Sequence, residues 1–232
     1  GRMYAEGSTS TDTPIVFLGY GFLGTEIRFY ARDDGGTSVS LASTVTGLND
    51  NKWHHAVGVR DGSSFTIYID GVSAGSTTAT IGTTTVSKIS LGAHQRAAVA
   101  AYFNGFLDEP KIYPYARSAA QVKADYASRG STSGVSAKIG NESAYLSNGL
   151  VGYWKMDEAS WAGAAGEVLD ASGAGNNGVA ASSATKPTTG VGKFGNGGVF
   201  DGTDDTVDVS DNSGLRNNGD FSIGFWYKMG SF

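Results

Sequence analysis

The chain has 232 residues and a formal net charge of −5 at pH 7; 35 of its residues are glycine and 11% are aromatic. This length suits one large all-β domain, and the glycine content favours short strands joined by turns. No basic run points to nucleic acid, and no apolar stretch approaches the roughly 18 residues of a membrane span. Cysteine is absent, which rules out disulfides and thiol chemistry and favours a prokaryotic source.

Alternating apolar and polar residues predict strands through the first half of the chain. The predicted strands are Ile15–Tyr20, Glu26–Arg32, Val39–Val45, Trp53–Arg60, Phe65–Gly71, Ile89–Gly92 and Phe103–Tyr113. Asp-Gly pairs at Asp34 and Asp61 supply the left-handed residues that tight hairpin turns require. The first half is therefore predicted to be a series of antiparallel hairpins.

One helix is predicted, over Ser118–Ala127, with Ser118 as its cap and with Val122 and Tyr126 on one face. A stretch rich in serine and glycine follows and is interpreted as a linker. The pattern of strands then resumes at Leu150–Met156, Gly197–Gly202, Thr206–Val209 and Phe221–Lys228.

The first half resembles the closing part of bacterial laminin-G-like domains. The segment Lys52–Val57, with its Trp-His-His run, and the segment Ile67–Gly71 are similar to a pair of strands in that family. Phe103–Tyr113 looks like the closing strand, and Ser118–Ala127 matches the short helix at the tail. Pro110 stands where the family usually has valine. Because proline cannot donate to the ladder, we expect an edge or a bulge there.

The second half resembles the opening part of the same family. The similar segments are Gly152–Glu158, Asp170–Gly178, Phe194–Asp205 and Phe221–Lys228. The resemblance covers most of the chain. It implies an all-β, antiparallel two-sheet jelly-roll sandwich of the laminin-G or concanavalin-A-like kind, with one short helix.

The two halves stand in swapped order. Residues 1–130 correspond to the closing half of the domain, 131–147 to a linker, and 148–232 to the opening half. The chain is interpreted as a register-shifted unit of a tandem array, a subunit whose opening half completes a neighbour, or a circular permutant. The missing start methionine and the stop at Phe232 within a pattern favour a repeating unit. Head-to-tail self-association into a filament or array is therefore the expected partnership.

Carboxylates in glycine-rich turns are the candidate metal ligands, since calcium prefers hard oxygen atoms. In related sandwich families a structural calcium often bridges the first and last strands. Carried over, the resemblance implies calcium at Asp157 and Asp108, with Asp170 as a further ligand. The alternative interpretation is that these residues form turns. The pair Asp204-Asp205 is interpreted as a plain turn.

A carbohydrate site needs exposed aromatic rings to stack on sugars, with polar groups beside them. The candidate ligand-binding residues are Tyr20, Phe22, Tyr102 and Trp161. His94 and Arg96 lie in a predicted loop that could also contact a ligand, but a solvated loop is the preferred interpretation.

Catalysis is not predicted. His54 and His55 are adjacent on a strand and point to opposite faces, so we expect one to be buried and one exposed. No Glu-x-Asp-x-x-Glu pattern of sandwich glucanases, nucleophile elbow or metalloprotease motif is present in the sequence. These features favour a non-catalytic extracellular domain of a prokaryotic surface protein, used as a structural or adhesive repeat. The alternative is a carbohydrate-binding, lectin-like module.

Overall fold

The computed structural model describes residues 1–13, 15–21, 24–94, 96–128, 149–181, 186–210, 213–215 and 218–230. Within these residues the chain forms two antiparallel sheets stacked as a sandwich, with one α-helix. This confirms the predicted fold class. The predicted linker at 131–147 and the candidate residue Phe22 lie outside the described residues.

One sheet has seven strands and draws on both halves of the chain. In spatial order it contains β11 (Gly178–Ala181), β14 (Thr206–Ser210), β8 (Lys88–Leu91), β1 (Arg2–Gly7), β2 (Ile15–Tyr20), β3 (Ile27–Arg32) and β4 (Ser38–Ala42). Its edges are therefore β11 and β4.

The other sheet has eight strands. In order it contains β12 (Thr188–Val191), β13 (Asn196–Asp201), β9 (Asn104–Tyr113), β15 (Phe221–Lys228), β5 (Trp53–Asp61), β6 (Ser64–Ile69) and β7 (Val72–Thr78). The short β10 (Gly152–Tyr153) pairs with the end of β9 beyond the β13 pairing. A 3-10 turn covers Ser213–Leu215.

The two halves of the chain share one core. β15 lies between β5 and β9, and β14 lies between β11 and β8. Trp154, Phe200 and Phe225 from the second half are at most 1% exposed and join the cluster that holds Phe29 and Phe65 of the first half. The second half of the chain thus completes the sandwich within this chain. The same pairing made between chains stays a prediction.

The prediction of a strand over Leu150–Met156 is wrong for most of that range. Only Gly152–Tyr153 is a strand, followed by an isolated bridge from Trp154 to Asp170. Met156 has a φ of 58°, a left-handed conformation that turns the chain out of extended geometry. The alternating pattern does not report this bend.

The bulge expected at Pro110 is confirmed. The register of β9 against β15 shifts between the pairs Gly224–Lys111 and Trp226–Asp108, so Glu109 and Pro110 together face a single residue. Glu109 has a φ of 56° within the bulge. The position without a backbone donor is thereby removed from the regular ladder.

The predicted helix is present as α1 (Ala119–Ala127). Ser118 and Gln121 form a reciprocal capping box, with each side chain bonded to the other's backbone N–H. Val122 is buried against the outer face of the eight-stranded sheet, and Tyr126 stacks on Trp226 at 5.5 Å. Of the helices in the described residues, none is long and apolar enough to cross a membrane.

Candidate functional site

A cleft opens on the outer face of the seven-stranded sheet, over β2, β3 and β4. Its volume is about 370 Å³, within the range of small-molecule sites. The described residues that line it are Arg2, Ile15, Phe17, Arg28, Tyr30, Arg32, Ser40, His94 and Arg96. We call this the arginine cleft.

The period-2 alternation of the strands places these side chains on one face. On β3, Ile27, Phe29 and Ala31 are fully buried in the core, so Arg28, Tyr30 and Arg32 face outward. On the neighbouring strands, Phe17 lies opposite Tyr30, and Tyr30 lies opposite Ser40. The register therefore places the Tyr30 ring between Phe17 and Ser40 across the sheet. Along β3, Arg28 and Arg32 stand on either side of that ring.

The floor of the arginine cleft is aromatic. The rings of Phe17 and Tyr30 stack with centroids 5.0 Å apart and planes inclined by 15°. The Arg2 guanidinium lies 3.9 Å from the centroid of the Phe17 ring, and His94 lies beside that ring at 5.7 Å. Phe17 is 5% exposed and so is covered, whereas Tyr30 is half-buried. Tyr30 is therefore the ring of the floor that retains accessible surface.

Two of the four arginines are held by oxygen atoms of β4, of the residue before β3 and of the loop between β1 and β2. Arg28 Nη1 donates to Ser40 Oγ at 2.7 Å, and Arg28 Nη2 lies 3.3 Å from Glu26 Oε1. Arg32 donates to the backbone carbonyl of Asp12. These contacts leave Arg28 with a carboxylate partner and Arg32 with a neutral one.

Like Arg32, the other two arginines lack a carboxylate within hydrogen-bond distance. Arg2 donates to the backbone carbonyl of Tyr20, and Arg96 Nε lies 3.8 Å from Asp12 Oδ1, beyond hydrogen-bond distance. Burial and the neighbouring Arg28 lower the pKa of Arg2 to about 10. The cleft thus holds an excess of positive charge.

The pKa of His94 reflects the same excess of positive charge. Burial, followed by repulsion from Arg2, Arg96 and Arg32, lowers the pKa of its imidazole to about 4, against a weaker opposing effect of Asp12. At neutral pH the ring is therefore uncharged and offers one donor and one acceptor nitrogen.

The predicted carbohydrate-binding residues do not gather in one place. Tyr20 is fully buried, and its hydroxyl donates to the carbonyl of Leu48 at 2.5 Å. Trp161 is 6% exposed, belongs to the core and donates to Glu158 at 3.1 Å. Tyr102 is half-buried and does not line the arginine cleft. The choice of Tyr20 and Trp161 as sugar-binding residues is therefore wrong, because rings covered by the core cannot stack on a sugar.

The predicted metal ligands Asp108 and Asp157 both hold the hairpin between β12 and β13. Asp108 Oδ2 accepts the N–H of Phe194 at 2.8 Å, and Asp157 Oδ1 accepts the N–H of Asn196 at 3.0 Å. Burial raises the pKa of Asp108 to about 7, although the N–H of Phe194 opposes this. Each of these two carboxylates thus accepts a backbone N–H of the hairpin through one oxygen.

Asp170 acts within its own turn. Its Oδ1 accepts the N–H groups of Tyr153 and Ser172, both at 2.9 Å, and its Oδ2 accepts that of Asn176 at 2.8 Å. With three backbone donors it fits the turn-forming alternative. Among the described residues, the trio Asp108, Asp157 and Asp170 does not form a converging acidic group, although Asp108 Oδ1 is buried without a hydrogen-bond partner.

Among the described residues, acidic oxygens do converge at Asp201, Asp204 and Asp205, within 4.8 Å of one another. Asp205 Oδ2 accepts the N–H of Asp201 at 2.8 Å, and Asp201 Oδ1 accepts that of Thr203 at 2.7 Å, as in a tight turn. Burial and the charges of Asp201 and Asp204 together raise the pKa of Asp205 to about 6, although the N–H of Asp201 opposes this. The predicted turn thus also brings three acidic groups close together.

The histidine prediction is confirmed for His55, which is 6% exposed and whose pKa burial lowers to about 3. His54 is half-buried rather than exposed, because its ring bonds Asp70 at 2.8 Å and Asp50 at 3.1 Å.

The arginine cleft itself was not predicted from the sequence. Its signal was the Arg28-x-Tyr30-x-Arg32 alternation, which puts two cations and a ring on the same face of a strand. His94 and Arg96 were noted as possible ligand contacts, but nothing in the pattern joins their loop to β3. The strand order of the sheet brings that loop near β3, because β1 and β2 lie between β3 and β8, the strand that precedes the loop.

Comparison with protein families agrees with this architecture. Residues 2–123 match the family model Laminin_G_3, described as the Concanavalin A-like lectin/glucanases superfamily. No curated protein and no solved structure gives a significant match. The match covers more than half of the chain and contains every described lining residue of the arginine cleft. The chain therefore belongs to the Concanavalin A-like lectin/glucanases superfamily.

Proposed function

We propose that this protein is a non-catalytic, carbohydrate-binding module of an extracellular surface protein, and that its site is the arginine cleft. One observation carries the proposal. The cleft combines a half-buried aromatic ring, Tyr30, with hydroxyl, imidazole and guanidinium groups that converge beside it. Stacking on a ring together with hydrogen bonds to several hydroxyls is how proteins hold sugars.

The lining favours binding over hydrolysis. Glycoside hydrolysis by either common mechanism needs two carboxyl groups across the scissile bond. None of the described residues that line the arginine cleft is Asp or Glu. Glu26, the nearest acidic partner, is occupied by Arg28. Of the two activities named by the superfamily, the lectin-like one therefore suits this cleft.

Affinity electrophoresis through gels that contain single polysaccharides tests the proposal. Retardation by at least one polysaccharide is expected, and Tyr30→Ala should abolish it because the stacking ring is lost. The matched control is Tyr126→Ala, which removes a partly exposed tyrosine from the helix on the other sheet. Equal retardation of the wild type and Tyr30→Ala, or loss of retardation in Tyr126→Ala alone, contradicts this location.

A structural repeat is the second candidate, and the sheet edges favour it. β7 and β12 are the two edges of the eight-stranded sheet. Each carries an exposed valine: Val72 is 68% exposed and Val191 is 80% exposed. Edges without charge invite pairing with another chain, and a head-to-tail contact of two different edges grows an open array.

Light scattering after size exclusion, over a concentration series, tests this second candidate. Self-association is expected to raise the mass above the 23.9 kDa of one chain as concentration increases. The double variant Val72→Lys/Val191→Lys should return it to the monomer, because lysines on both edges oppose pairing. A wild type that stays monomeric at every concentration refutes the array for this chain.

A further inference from the structure

We infer that the ligand of the arginine cleft is an acidic carbohydrate, whose carboxylate or sulfate is held by the guanidinium groups of Arg2, Arg28, Arg32 and Arg96. This inference rests on the proposed function and specifies its ligand class. It is carried by the charge and hydrogen-bond state of the cleft and not by the resemblance to a family.

The first observation is the concentration of charge. The chain has 17 Lys and Arg residues against 22 Asp and Glu, so positive charge is in the minority. Four arginines nevertheless line this one cleft, and none of its described lining residues is acidic. Glu26 lies 3.3 Å from Arg28, and Asp12 is 64% exposed and 3.8 Å from Arg96. The two flanking carboxylates cannot balance four guanidinium groups.

The second observation is a set of donors that lack acceptors. The Nε atoms of Arg2, Arg28, Arg32 and Arg96 are buried and have no hydrogen-bond partner among the described residues. His94 Nε2 also has no partner there, as donor or acceptor according to the tautomer. A buried donor without an acceptor costs free energy that a ligand rich in acceptors recovers. Four such Nε–H donors around one cleft favour a ligand rich in acceptor oxygens.

The third observation is mutual repulsion. Arg28 lowers the pKa of Arg2, and three arginines lower that of His94. The cations are therefore close enough to destabilise one another despite the flanking carboxylates of Glu26 and Asp12. An anion bound among them would reverse that effect on every group at once.

Ligand chemistry follows from the geometry. Guanidinium groups bind planar carboxylates and the oxygens of sulfate through paired hydrogen bonds. Arg28 and Arg32 flank Tyr30 on one strand, so a sugar stacked on Tyr30 would present a ring substituent to either side. A uronic acid or a sulfated sugar supplies such a substituent, whereas a neutral hexose leaves the arginines unpaired.

Calorimetric titration of the whole chain with matched pairs of oligosaccharides is the test. The pairs are oligogalacturonate against its methyl ester, and a sulfated galactan against its desulfated form. The charged member of at least one pair is expected to bind ten times more tightly or better at low salt. Its affinity should fall as salt rises, because counter-ions compete for exposed charge. The two pairs distinguish a carboxylate from a sulfate.

Variants assign the preference to the cleft. The double variant Arg32→Gln/Arg96→Gln should lose at least tenfold affinity for the charged ligand and little for the neutral one, while Arg32→Lys should retain part of it. The charge-matched control Lys123→Gln changes an exposed residue of the helix on the other sheet and should bind like the wild type.

Contrary results distinguish a failure of the acidic-ligand inference from a failure of the proposed carbohydrate site. Equal affinity for both members of each pair, with binding still lost in Tyr30→Ala, overturns the acidic ligand and leaves the carbohydrate site in place. Absence of binding to every oligosaccharide overturns both. A single-stranded oligothymidylate that binds as tightly as the best acidic glycan, with the same loss in Arg32→Gln/Arg96→Gln, overturns the inference in favour of a nucleic-acid ligand.

Discussion

Replacing Trp154 with alanine should be among the most damaging single changes in the chain. Trp154 is fully buried, packs on Gly152 and Leu215, and donates through Nε1 to the carbonyl of Asn176 at 2.9 Å. Truncation of a buried Trp costs about 3–5 kcal/mol, and the abandoned carbonyl adds about 1–3 kcal/mol. At about 2–4 °C per kcal/mol for a domain of this size, the melting temperature should fall by roughly 10 °C or more.

Thermal and urea unfolding, followed by near-ultraviolet circular dichroism, measure this loss. Trp154→Phe keeps part of the ring volume and should show an intermediate loss, which covers the case in which Trp154→Ala fails to fold. Val191→Ala, at a position that is 80% exposed, is the control and should stay within about 0.5 kcal/mol of the wild type. A Trp154→Ala chain that melts within 2 °C of the wild type would refute the argument that the second half packs into a core shared with the first.

Three further predictions follow from the titratable groups. Asp205→Asn should raise the free energy of unfolding at pH 7 by on the order of 1 kcal/mol in the presence of a chelator. The reason is that the raised pKa of Asp205 means that its charge is disfavoured in the folded state. An unchanged urea midpoint counts against this prediction. The pKa of His55 is about 3 folded and about 6.5 unfolded, so its contribution to stability is complete above pH 6.5 and is lost as pH falls towards 3. His55→Phe should therefore lose less stability than the wild type between pH 7 and pH 4, and equal losses would show that His55 is not buried. Calcium at Asp157 stays a prediction: if it is bound there, a chelator lowers the melting temperature of the wild type but not of Asp157→Asn, and equal chelator effects on both exclude that ligand.

Much of the fold follows from local patterns. Strict alternation over Ile27–Arg32 predicts both the strand and its buried face, and Ser118 with Gln121 supplies the helix cap. Proline at Pro110 predicts the bulge because its chemistry excludes a regular ladder position. These features depend on residues close together in sequence, which is why the sequence alone reveals them.

The candidate site depends on long-range order instead. Tyr20 has the character of a sugar-binding ring, but the alternation of β2 turns it inward beneath Leu48. Asp170 has the character of a metal ligand, but its own turn supplies it with backbone donors. Arg2 and Arg96 reach the cleft from segments far apart in the chain. The identity of a residue therefore did not predict its environment, because burial and partners are set by strand order.

In the proposed function, the arginine cleft is where this protein binds its ligand. The most direct test is nuclear magnetic resonance of the ¹⁵N-labelled chain, titrated with the acidic oligosaccharide that binds most tightly. The side-chain Nε–H signals of Arg2, Arg28, Arg32 and Arg96 should shift together with the backbone signals of β2 and β3. Shifts confined to the outer face of the eight-stranded sheet or to the turn at Asp201, with the arginine signals unmoved, would contradict the claim.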